Sequence, residues 1–113
     1  MKAVIRSSVL GALCLAVLIG AGAPDAPVAD AAMRGDVDAV RQLLREGADV
    51  NAAQGDGMSA LHWAAEHGDP ELTEMLLYAG ATIDVVTRIG EYTPLHIASR
   101  NGVSEVVSVL LAA

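Results

Sequence analysis

Slid along itself by 33 residues, this chain meets its own sequence again, and that period restricts it to stacked copies of one small unit. Ala31, Ala32, Gly35, Asp36, Leu43, Leu44, Gly47 and Ala48 fall on Ala64, Ala65, Gly68, Asp69, Leu76, Leu77, Gly80 and Ala81. The step to a third copy is 34: Leu61, His62, Ala64, Gly68, Glu71, Leu76 and Leu77 fall on Leu95, His96, Ala98, Gly102, Glu105, Leu110 and Leu111. Gly57 to Gly90 is still 33 while Ser59 to Thr93 is 34, so the extra residue belongs to GEYT, which reads as a loop. A unit this short cannot enclose a core, and consecutive units must bury one another's apolar faces.

Each copy reads as two short helices. Ser59 and Thr93 are N-cap types, their hydroxyls able to accept from free first-turn amides, and Pro94 suits the first helical position. Gly68 and Gly102 end these first helices in the left-handed conformation. Asp69 before Pro70, and Asp36 in the first copy, start the second helices, which Gly47 and Gly80 stop. Val40, Leu43 and Leu44, then Leu72, Met75 and Leu76, follow the i, i+3, i+4 spacing of a buried stripe.

TPLHIA at Thr93 to Ala98, with SALHWA at Ser59 to Ala64 as a looser copy, resembles the T-P-L-H-x-A signature of ankyrin repeats. GADVNA, Gly47 to Ala52, is similar to that family's connection from helix to hairpin. The resemblance covers Ala26 to the last residue and implies an all-α ankyrin-repeat solenoid of helix-turn-helix pairs joined by hairpin loops. The repeats are expected at about 26–52, 53–85 and 86–113, the last incomplete, within a domain spanning 24–113. PVADAAMRGDVDAVRQLLREG lacks TPLH and resembles an N-terminal capping repeat, with Asp30, Arg34, Asp38, Arg41, Arg45 and Glu46 as its polar outer face. The last helix, VSEVVSVLLAA, shows no such face, and the 12-residue glycine spacing of the earlier copies points to position 114. More repeats downstream are therefore expected, the alternative being an apolar end covered by another subunit.

The N-terminus differs from the rest. Lys2 and Arg6 precede an uncharged run from Ser7 to Pro24, and Ala21 and Ala23 fit the small-residue rule for signal cleavage, so residues 1–23 read as a signal peptide. The expectation is export to a periplasmic or secreted location, with an uncleaved membrane anchor over residues 7–24 as the alternative. Cys14 leaves with the signal, so the remaining chain holds no thiol for disulfides, catalysis or zinc. It keeps five basic residues against 14 acidic ones, a net charge of −9 that disfavours nucleic acid and anionic lipid and suits a basic or mixed-charge protein.

No residue pattern points to catalysis, and no cofactor is expected. His62 and His96 lie a repeat apart without HExxH, cysteine or paired-carboxylate company, and in the family resembled they order the turn through hydrogen bonds. Ser59 and Thr93 have no base placed by a nucleophile motif. The resemblance instead implies recognition of a partner protein through the concave face and hairpin tips. Carried over by position, the contacts are Met33 and Arg34 in the first copy and Gln54, Asp56, Met58, Trp63, Glu66 and His67 in the second. In the third they are Arg88, Glu91, Tyr92, Ile97, Arg100 and Asn101. Trp63 reads either as packing or as an aromatic anchor, and the insertion beside Tyr92 either as loop variation or as a displaced tip. Two other readings stay open: a targeting or regulatory region of a longer exported enzyme, and self-association through the apolar last helix.

Overall fold

The computed structural model describes residues 25–113, so the signal-type segment at 1–23 lies outside the described residues. Six helices follow in pairs: α1 (Pro27–Met33) and α2 (Val37–Arg45), α3 (Ala60–His67) and α4 (Pro70–Tyr78), α5 (Pro94–Asn101) and α6 (Ser104–Ala112). No helix among the described residues is long and apolar enough to cross a membrane. The first helices α1, α3 and α5 pack side by side, α4 and α6 pack in a second row, and each helix packs on its own partner.

The helix ends are set by the residues the repeat pattern singled out. Ser59 and Thr93 cap α3 and α5, Asp36 and Asp69 cap α2 and α4, and Gly68 and Gly102 close the first helices with φ of 65° and 70°. The third copy breaks the pattern: Val103 stands where the others have aspartate, and α6 has no side-chain cap. Its side chain instead packs toward Gly68, where an added Cβ would lie 2.9 Å from Val103 Cγ2. Apolar contact between repeats has replaced a cap at that position.

Ala31, Ala32, Ala64, Ala65 and Ala98 are fully buried in the inner row, where small side chains let neighbouring helices approach. Leu61, Leu72, Leu76, Val40, Val106 and Leu110 fill the space between the rows and join them into one continuous core. The buried Thr73 hydroxyl donates to the Asp69 carbonyl at 2.7 Å, so it costs the core no unmet hydrogen bond. Leu111 is 67% exposed and Tyr78 96% exposed, which leaves apolar surface on the second row and its last turn.

Neighbouring repeats are also joined by polar ties that local sequence does not announce. The Asn51 side chain donates to Gly80 O at 3.2 Å and accepts from Thr82 N at 2.8 Å, pinning one helix-to-hairpin connection on the next. Asn51→Ala is expected to cost about 1 kcal/mol, because the site is exposed and water recovers part of the loss. An unchanged urea midpoint would show that the tie contributes nothing.

Candidate functional site

The two hairpins beside α3 and α5 build the face that carries most of the expected contacts. In the first, Gln54 N donates to Met58 O at 3.0 Å and Gly57 N to Gln54 O at 2.8 Å. In the second, Thr87 N donates to Tyr92 O at 3.0 Å, and the Thr87 hydroxyl accepts from Tyr92 N at 3.1 Å while donating to Ile89 O at 2.9 Å. Arg88 N donates to Asp56 O at 3.0 Å, which joins the hairpins directly.

The inserted residue leaves a visible mark on the second tip. Gly90 and Glu91 both have positive φ, 86° and 52°, and Glu91 is the one residue other than glycine with this conformation among the described residues. The turn lays the Tyr92 ring against Gly90, with a Cβ built there falling inside contact distance of the ring, and leaves Ile89 85% exposed. Tyr92 also meets the Arg100 guanidinium, 5.5 Å from the ring centroid, in a cation–π arrangement. Arg100 Nη2 pairs with Glu66 Oε2 at 3.2 Å.

Between the hairpins and the inner helices lies a cleft of about 370 Å³, lined by Asp56, Met58, Trp63, Glu66, Thr87, Ile89, Tyr92, Ile97 and Arg100. Trp63 is half-buried, and its indole N–H donates to Gln54 Oε1 at 2.9 Å, while Gln54 Nε2 donates to Asp30 Oδ1 at 2.7 Å. The indole is thereby fixed with one edge satisfied and part of its face open. Asp30, expected on the outer polar face, is partly buried in this chain of bonds, because it occupies in α1 the register of Trp63 in α3.

Three expected contacts are placed differently from a free surface. Ile97 holds the Trp63 register in α5 but is only 3% exposed, since its shorter side chain sinks into the core and serves as cleft floor. His67 Nε2 lies 2.9 Å from Met33 O, and Asn101 Nδ2 donates to Glu66 O at 3.4 Å. Both side chains end a first helix and reach a carbonyl near the end of the preceding one, where intrahelical partners run out. Met33, Arg34, Arg88 and Glu91 are exposed outside the cleft lining.

His62 is fully buried beneath the hairpins, and its ring is wired at both nitrogens. Ser59 N–H points at Nδ1 from 3.1 Å and can only donate, so Nδ1 is the acceptor and the proton sits on Nε2. Nε2–H donates to Tyr92 O at 2.8 Å. Burial lowers the imidazole below its ordinary value of 6.5, against the raising effects of the Tyr92 and Val85 carbonyls and the Asp56 charge. Among the described residues no group of three potential metal ligands occurs.

The family model "Ankyrin repeats (3 copies)" matches residues 28–113. Curated relatives include "Probable E3 ubiquitin-protein ligase XBOS33" of Oryza sativa subsp. japonica, 36% identical over 80% of this chain and 18% of that protein. "Palmitoyltransferase Hip14" of Drosophila melanogaster is 36% identical over 76% of this chain and 14% of its own length. "Ankyrin repeat domain-containing protein 40" of Homo sapiens is 32% identical over 71% of this chain and 22% of its own length. The chain thus spans less than a quarter of each of these relatives. With the signature turns, the paired helices and the family model in agreement over the same residues, the chain belongs to the ankyrin-repeat family.

Proposed function

We propose that this protein binds a partner protein through the face formed by its two hairpins and the inner helices α3 and α5. The observation that carries this reading is the cleft itself: Trp63, Tyr92, Met58 and Ile89 offer apolar surface beside Asp56, Glu66 and Arg100, the mixture of aromatic anchors and orienting charges used in recognition. Ankyrin repeats are protein–protein interaction modules. A partner-capture experiment with the full chain and a Trp63→Ala/Tyr92→Ala/Arg100→Ala variant tests it. Cross-linked partners should be lost in the variant while its helix content stays the same; equal recovery would move the site elsewhere.

Export, with a periplasmic or secreted destination or an anchor at residues 7–24, is supported by the composition of the N-terminal segment alone. Fusion of residues 1–23 to a reporter that is active only after export tests it. Relatives named as a ligase and a palmitoyltransferase, each far longer than this chain, support one part of the second reading, a targeting or regulatory repeat region of a longer exported enzyme, namely that the repeats belong to a larger enzyme. The exposed apolar surface at Tyr78 and Leu111 supports a third reading, self-association, and a concentration-independent monomer mass in sedimentation would exclude it.

A further inference from the structure

We propose that the cleft receives an extended peptide segment in which an apolar side chain stands beside a lysine or arginine. This deepens the binding reading and rests on it. The apolar part follows from the walls, where Met58, Trp63, Ile89 and Tyr92 surround a floor formed by Ile97 in a volume of about 370 Å³, room for one large side chain and its neighbours. The hairpin tip supports it, since Ile89 and Tyr92 are 85% and 44% exposed.

The cationic part follows from how the charges are already committed. Among the described residues Arg100 is the only basic one lining the cleft, and it is engaged twice, over the Tyr92 ring at 5.5 Å and against Glu66 Oε2 at 3.2 Å. An incoming carboxylate could still reach the remaining N–H donors of the guanidinium, but it would do so beside Asp56 and Glu66, whose two negative charges outnumber the one cation of the lining. A cation meets the opposite balance. Asp56 uses Oδ1 to accept from Met58 N at 3.0 Å and Glu66 uses Oε2 for Arg100; among the described residues neither second oxygen accepts a hydrogen bond. Each can take a charged donor without losing its present bond. The long-range field points the same way, because residues 25–113 hold 14 acidic and five basic side chains.

Random seven-residue peptides displayed on phage and selected against the full chain test the proposal. Enriched sequences should place Lys or Arg within two positions of a large apolar residue. A synthetic peptide from that set should lose about tenfold in affinity for an Asp56→Asn/Glu66→Gln variant, together with most of its salt sensitivity. Circular dichroism and thermal midpoints establish that the variant is folded. Acidic enriched sequences, an indifferent double variant, or no enrichment would each overturn the proposal. Acidic peptides that still fail to bind a Trp63→Ala/Tyr92→Ala variant would leave the binding face standing and reject only its ligand chemistry. Peptides that bind that variant undiminished would reject both.

Discussion

Replacing His62 by alanine is expected to lower the unfolding free energy by about 3 kcal/mol, whereas His96→Ala costs about 1 kcal/mol. Both rings accept a bond from the N-cap amide, Ser59 N at 3.1 Å and Thr93 N at 3.0 Å. What separates them is the neighbouring repeat. His62 is fully buried and its Nε2–H holds Tyr92 O at 2.8 Å, so its removal opens a cavity, takes the ring acceptor from the buried Ser59 N–H and leaves Tyr92 O with Thr87 N alone. His96 is exposed, and water replaces much of what its loss removes. Urea unfolding of both variants checks the ranking; equal costs would mean that the tie between the repeats contributes little.

The same burial sets a pH dependence. His62 titrates below its ordinary 6.5, so from about pH 6.5 downward the unfolded chain takes up a proton that the folded chain refuses. Its contribution is complete above pH 6.5 and is lost as the pH falls through the folded-state value. Burial is the cause of the shift, and the wiring is consistent with its direction, since a protonated Nδ1 would face Ser59 N–H donor to donor. Stability should fall more steeply between pH 7.5 and 5.5 in the parent chain than in His62→Gln, and identical slopes would contradict this.

What was legible in the sequence was local. The caps at Ser59, Thr93, Asp36 and Asp69 and the stops at Gly68 and Gly102 depend on bonds spanning a few residues, and each appeared where the pattern put it. The ties between repeats were not legible, because Asn51, His67 and Asn101 reach carbonyls some thirty residues away and a polar side chain near a helix end carries no mark of its partner. The register held a signal nevertheless: His67 and Asn101 occupy equivalent positions, and both can donate. Equivalence misled at Ile97, since register fixes where a side chain starts and its size decides how far it emerges. Val103 shows the limit in the other direction, a broken cap motif explained only by the glycine it packs against.

Gly57→Ala is expected to destabilise the chain by about 3 kcal/mol and to weaken partner binding, while Gly47→Ala costs about 1 kcal/mol. The two glycines have nearly the same backbone, φ of 85° and 86°, so the strain of placing an L side chain in the left-handed region is common to both. Their surroundings differ. A Cβ at Gly47 meets nothing within 4 Å, whereas one at Gly57 lies 2.9 Å from Arg88 N and 3.1 Å from Thr87 Cα, backbone atoms with no rotamer to change. Relief requires the hairpins to separate, which stretches the 3.0 Å bond from Arg88 N to Asp56 O and displaces the strand of chain carrying Ile89 and Tyr92 from the cleft. Comparing the variants therefore isolates the close approach from the conformational strain. Equal losses of stability, or intact binding by Gly57→Ala at full occupancy of the folded state, would show that the junction between the hairpins does not position the cleft.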